Sequence, residues 1–262
     1  MFPIVMVHGI CPFDRVYMTI FSKFSGSDRF SYFKGIRSFL TEKGYSVFTP
    51  TISWGGPIEK RAKDLFERIM KITGGFKRHG GLHLIGHSMG GLDIRFMVYK
   101  YDLKGKVKSI TTIGTPHLGS PLADIKLRDR LWVIRALKSI GVDLRGFLDL
   151  TTQKARNLSR LLEAYEKSSK IPLRTIAGRQ PHKNIFFFLK PSYRVIASIE
   201  GENDGLVSVD SAMYKRELLY EIWDLDHLNQ IGWWDPSEDL PRETFYEKVR
   251  GLYLKMIKDL PT

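Results

Sequence analysis

Short apolar runs alternate along this chain with longer stretches whose apolar residues recur every three or four positions. The runs Pro3–Val7, Tyr45–Thr49, Leu82–Ile85, Val107–Ile113, Leu173–Ala177 and Leu218–Trp223 read as strands. Between them Ser31–Lys43, Ile58–Thr73, Gly90–Tyr101, Thr151–Lys167 and Thr244–Lys258 carry the helical period. Gly44, Gly74-Gly75 and Gly80-Gly81 stand where helices should end. Strands that alternate with helices predict an α/β fold, with a mostly parallel central sheet flanked by helices. No internal repeat or low-complexity linker interrupts the pattern, so residues 1–262 read as a single domain.

The alternation fails between Pro121 and Leu150, where helical pattern continues without a strand. Leu127, Leu131, Ile134 and Leu137 fall on one helical face, with Trp132 and Val133 beside them. From Lys126 to Lys138 there are five basic residues and one acid. An ordinary packed helix pair would look like this. So would a helical cap or lid, inserted at 121–150, whose apolar face covers a site and whose basic face meets water or lipid. The cap is the expectation taken forward, with Leu131, Trp132 and Ile134 as candidate substrate-pocket residues.

Composition narrows the classes. Of 262 residues, 43% are hydrophobic and 26% charged, which describes a globular protein rather than a disordered chain. The formal charge of +13 comes from Lys and Arg spread along the whole chain. No dense basic stripe or nucleic-acid motif accompanies it, so attraction to an acidic lipid surface is a better reading than nucleic-acid binding. A single cysteine, Cys11, excludes an intrachain disulfide and reads as a small apolar filler. No Cys/His cluster has metal-binding spacing, and no cofactor motif is present. The N-terminus enters a strand at once, with no leader pattern, which makes a cytoplasmic location the expectation unless a leader has been removed. No apolar stretch reaches membrane-spanning length.

The chemistry centres on Gly86-His87-Ser88-Met89-Gly90, set between the apolar run at Leu82–Ile85 and a helical stretch. In that setting Gly-x-Ser-x-Gly is a nucleophile elbow. A strained strand-to-helix turn holds the serine, and glycines remove side chains that would collide with strand and helix. Ser88 is therefore the candidate nucleophile, and it needs a base. Of seven histidines, His8, His79, His83 and His87 precede or adjoin it, and His117 follows a strand too early in the chain. His182 has no convincing acid upstream, which leaves His227. Asp204, in the glycine-bracketed turn Gly201–Val207, is the candidate acid; Glu202 is its local rival, and Asp224 and Asp226 are more distant ones. An oxyanion hole needs two backbone donors. The N–H groups of Met89, next to the nucleophile, and Ile10, after Val7-His8-Gly9, are the candidates.

With these pieces assembled the chain resembles the bacterial true lipases and related triacylglycerol-lipase-like esterases of the α/β-hydrolase fold. The matching residues include Val7-His8-Gly9, Arg61-Ala62, Leu84 through Asp93, Gly114 through Ser120, Asn203 through Ser208 and Asp226-His227-Leu228. The resemblance implies ester hydrolysis through an acyl-serine and a helical lid after Gly119-Ser120; apolar acyl esters are the expected substrates, and small-molecule or lipid esters with peripheral contact at a lipid interface are the expected partners. Thioesterase, acyltransferase and polyester-hydrolase activities would use the same acyl-enzyme, and a silent binding module is the non-enzymatic alternative. Secreted relatives carry a calcium-ligating aspartate two residues after the catalytic histidine. Asn229 stands there, and Gly178–Asn184 offers no carboxylate, so no metal is expected.

Overall fold

In the computed structural model, residues 2–10, 31–129 and 145–261 are described. Six strands form one sheet: β1 (Ile4–Val7), β2 (Val47–Phe48), β3 (Leu82–His87), β4 (Val107–Ile113), β5 (Leu173–Arg179) and β6 (Leu219–Asp224). Their spatial order is β2-β1-β3-β4-β5-β6, and every pairing is parallel. All six lie where the apolar runs predict them.

All residues of β1 and of β3 are buried, as parallel strands covered on both faces must be. Side chains alternate between two cores. Ile4 and Met6 join Ile85, Ile113 and Trp223 on one face, against α1 (Ile36–Glu42) and the C-terminal helix α9 (Arg242–Lys258). Val5 and Val7 face the other way, with Leu82, Leu84 and Ile110, against α2 (Ile58–Thr73) and α3 (Met89–Lys100). Helix α2 matches its predicted span to the residue and stops at Gly74, whose left-handed φ of 59° ends the helical ladder. Helix α1 starts later than predicted, because Gly35 sits before it at φ 68° and the helix cannot run back through that residue.

Beyond β4 come α4 (Pro121–Asp129), α5 (Arg145–Asp149) and α6 (Thr152–Ser169). Leu131, Trp132 and Ile134, and with them most of the Lys126–Lys138 segment, lie outside the described residues, as does Cys11. Two helices escape the sequence pattern: α7 (Lys190–Glu200) and the short α8 (Val209–Met213). Among the described residues no helix is long and apolar enough to cross a membrane.

One buried cation ties three of these elements together. Arg61 of α2 has a fully buried side chain; its Nε donates to Asp93 Oδ2 of α3 at 2.9 Å. Its Nη2 donates to the carbonyl of His8, after β1, at 2.8 Å, and its Nη1 to the carbonyls of Ser53 and Trp54. The planar fork of a guanidinium suits such a junction, since each N–H has its own direction. Removing it leaves Asp93 buried without its counter-ion and three carbonyls unanswered. Arg61→Ala should therefore cost about 3–5 kcal/mol of folding stability. Urea unfolding measures it; a loss below about 1 kcal/mol would show that the junction is not under load.

Candidate active site

Ser88 occupies the turn between β3 and α3 with φ 55° and ψ −133°, a conformation that a side-chain-bearing residue adopts only under constraint. The constraint comes from both sides. Ser88 N–H donates to Ile113 O of β4 at 2.9 Å, and Thr115 Oγ1 donates to Ser88 O at 2.8 Å. A Cβ on Gly86 would lie 2.6 Å from Gly91 Cα, and one on Gly90 would strike the carbonyl oxygen of Val7. The glycines let the first turn of α3 sit directly against the ends of β3 and β1.

The loop after β1 reaches the same point. A Cβ on Gly9 would lie 2.6 Å from Ser88 Cβ and 3.1 Å from Ser88 Oγ, so this backbone is in contact with the serine. Ile10 follows, and its side chain packs in one cluster with Ile58, Met89 and Leu92. Met89 opens α3, where a backbone N–H has no intrahelical acceptor. The two candidate oxyanion donors thus flank Ser88 from β1 and α3.

Asp204 and His227 meet beyond β5 and β6. His227 Nδ1 lies 2.8 Å from Asp204 Oδ2, and His227 N–H donates to the Asp204 carbonyl at 2.9 Å. The carboxylate accepts three further hydrogen bonds: Leu206 N–H and Val207 N–H on Oδ1, and Gln230 Nε2 on Oδ2. Its rivals are engaged elsewhere. Glu202 is an exposed partner of Arg179, which also holds Asp224. Asp226 is buried and accepts from the N–H groups of Phe186, Leu228 and Asn229. The His227 ring packs on that of His87, the residue before Ser88, with centroids 4.5 Å apart. Among the described residues no hydrogen bond joins Ser88 Oγ to His227.

Tyr32 and Gln230 belong to the site and carry no sequence signal. Gly9 N–H donates to the Tyr32 hydroxyl at 3.0 Å, and that hydroxyl lies 2.7 Å from His87 Nδ1. Gln230 is fully buried and fits only because Gly114 and Gly178 lack side chains: a Cβ on either would overlap its amide. His117 takes part in a separate polar cluster. It is buried, accepts from Arg95 Nη1 on Nδ1 at 2.7 Å and meets Thr112 Oγ1 through Nε2.

The residues do not fit a calcium ion beside His227. Asn229 accepts from Asp226 N–H through Oδ1 and donates to Trp233 O through Nδ2, so both polar atoms are spent locally. No cluster of three or more His, Cys, Asp or Glu among the described residues could hold a metal.

A parallel sheet with a strained serine between strand and helix, and an Asp–His pair at the ends of later strands, defines an α/β-hydrolase. Comparison with known proteins agrees. Residues 55–132 match the PGAP1-like alpha/beta domain. Triacylglycerol lipase 2 of Saccharomyces cerevisiae is 30% identical across 98% of this chain and 90% of its own length. The crystal structure of Staphylococcus hyicus lipase superposes with a TM-score of 0.70 at 18% identity, covering 98% of this chain and 94% of that one. A mature Bacillus licheniformis lipase gives 0.66 at 21% identity, over 94% and 91%. The chain belongs to the lipase-like family of α/β-hydrolases and is a carboxylic ester hydrolase.

Burial sets the charge states around this site. It lowers His8 to about 3, with Arg61 adding to the effect, and His83 to about 4, helped by Arg174 and Lys108. His87 and His117 are held well below the usual histidine range, first by burial and then by His227 and Arg95 respectively. On acidification below about 6.5 the unfolded chain takes up protons at these four histidines that the folded chain refuses, so stability falls. Burial also raises Asp93 to about 6 and Asp226 to about 7, and those two carboxyls act in the opposite sense. Four groups outweigh two. The melting temperature should drop between pH 7 and pH 5; a constant or rising value in calorimetry would contradict this balance.

Proposed function

We propose that Ser88, His227 and Asp204 form a catalytic triad that hydrolyses apolar acyl esters, lipid esters among them, through an acyl-serine. The observation that carries this reading is the 2.8 Å Asp204–His227 hydrogen bond beside a serine held at φ 55°. With Nδ1–H donated to Asp204, His227 presents an unprotonated Nε2 to the serine side. That nitrogen takes the Ser88 hydroxyl proton as Oγ attacks the acyl carbonyl carbon. The carbonyl oxygen becomes an oxyanion, met by the N–H groups of Met89 and Ile10. Protonated Nε2 then gives its proton to the leaving alkoxide oxygen, and the C–O bond breaks. Water repeats the cycle on the acyl-serine and releases the acid.

Tyr32 and Gln230 act as positioning residues in this scheme: the first steadies the Gly9 backbone, the second the Asp204 carboxylate. A thioester could enter by the same chemistry. The lipase named among the relatives favours oxygen esters of lipids as the physiological class.

Ser88→Ala should abolish turnover of p-nitrophenyl esters and block labelling by a fluorophosphonate, read as a missing adduct in intact-protein mass spectrometry. Asp204→Asn should lower kcat by about 10³- to 10⁴-fold, because the amide favours the wrong imidazole tautomer. Full activity in Asp204→Asn would move the acid role to another carboxylate.

Activity should also survive dialysis against EGTA, since the Asn229 side chain is committed to Asp226 and Trp233. A melting shift of several degrees on adding back calcium would reveal a site built from other donors.

A further inference from the structure

We infer that the turn Phe187–Leu189, with the first half of α7, is an anchor that seats the protein on an anionic lipid bilayer. The turn divides its aromatic run in two. Phe186 and Leu189 are buried in the core, while Phe187 is 66% and Phe188 40% exposed. The two exposed rings meet edge to face, with centroids 5.1 Å apart. Both rings also pack on that of Phe186, at 5.8 and 4.8 Å between centroids, and the apolar surface they leave exposed is of the kind that another apolar phase covers.

The surroundings say which phase. No Asp or Glu occurs between Arg179 and Glu200, whereas Lys183, Lys190 and Arg194 do. Lys183 pairs with Asp239; among the described residues Lys190 and Arg194 have no carboxylate partner. Exposed rings followed in the chain by Lys190 and Arg194 suit the headgroup boundary of an anionic membrane, where rings enter the acyl region and cations stay with phosphates.

The patch is also fixed to the site. Phe186 N–H donates to Asp226 Oδ2 at 2.7 Å and Phe187 N–H to Asp235 Oδ2 at 3.0 Å, on the loop that carries His227. Leu189 packs under Gly205, next to Asp204, where a Cβ would come within 3.1 Å of Leu189 Cβ. A bilayer that takes the two rings therefore lies at a set distance from the Asp204–His227 pair. The inference rests on the proposed lipid-ester activity only for its purpose; binding itself is independent of turnover.

The test uses the full chain carrying Ser88→Ala, so that no lipid is consumed. Its sedimentation with vesicles of phosphatidylcholine, alone and mixed with phosphatidylglycerol, is compared with that of two further variants. Phe187→Ser/Phe188→Ser should weaken binding to the mixed vesicles by about tenfold or more. Lys190→Glu/Arg194→Glu should weaken it by about tenfold while changing binding to pure phosphatidylcholine little. In the Ser88 enzyme both pairs of substitutions should leave the melting temperature and p-nitrophenyl acetate turnover near those of the parent. Undiminished vesicle binding by the Phe187→Ser/Phe188→Ser protein overturns the inference. So does a dimer in sedimentation velocity that the same substitutions dissolve, which would assign the patch to a second copy. Loss of fluorophosphonate labelling at Ser88 would instead strike the proposed activity and leave the vesicle result standing.

Discussion

The site depends on one close approach: the first turn of α3 lies directly against the carbonyl ends of β1 and β3. Gly86 and Gly90 permit it, because a side chain at either would meet backbone rather than something that can yield. With those backbones in contact, the connection at Ser88 has no room for an ordinary turn and is forced to φ 55°. The same contact brings Gly9 against Ser88 and sets Ile10 beside Met89. The strained serine and the placement of the loop after β1 are therefore consequences of a single packing distance. Arg61 holds that distance from outside, gripping the His8 carbonyl on one strand end and Asp93 on α3.

Sequence and structure diverge where the deciding information is spatial. The six strands and α2 are legible because burial on both faces and an amphipathic face leave period and composition in the chain itself. The elbow is legible because sterics allow few residues there. Helix α7 is not: Lys190-Pro191-Ser192-Tyr193 opens it, and Val195, Ile196 and Ile199 lower its intrinsic propensity. Pro191 reads as a breaker but stands in the first turn, where its missing N–H costs nothing. Gln230 and Tyr32 are silent for a different reason. Their roles come from what faces them, namely Asp204 and two glycines for the first, Gly9 and His87 for the second. Arg61 is marked in the sequence by the family match, but its role as a buried junction shows only once its burial and partners are seen.

The choice among acids near His227 shows how far local chemistry can decide. Asp224 and Asp226 are closer in the chain than Asp204, and Glu202 is only two residues farther, yet each is already occupied. Arg179 draws Glu202 and Asp224 toward solvent. Asp226 is spent on three backbone N–H groups that shape the loop. Asp204 differs in having Oδ1 satisfied by its own turn, which leaves Oδ2 pointing at the imidazole. Fixing one oxygen locally is what orients the other, since a carboxylate held at a single point would swing.

Asp226 then has a role that its exclusion from the imidazole makes possible. One carboxyl group binds Leu228 and Asn229 through Oδ1 and Phe186 through Oδ2. It joins the histidine loop to the aromatic turn across forty residues of chain. A buried carboxyl with three N–H donors resists displacement, because moving any one strand of this junction strands a buried polar group. The exposed Phe187–Phe188 pair and the His227 ring are consequently parts of one rigid unit. Phe187 N–H on Asp235 and Leu189 against Gly205 add two further ties between that turn and the loops of the site. The division of labour between two neighbouring carboxylates lets an apolar surface feature sit close to a polar site without disturbing it.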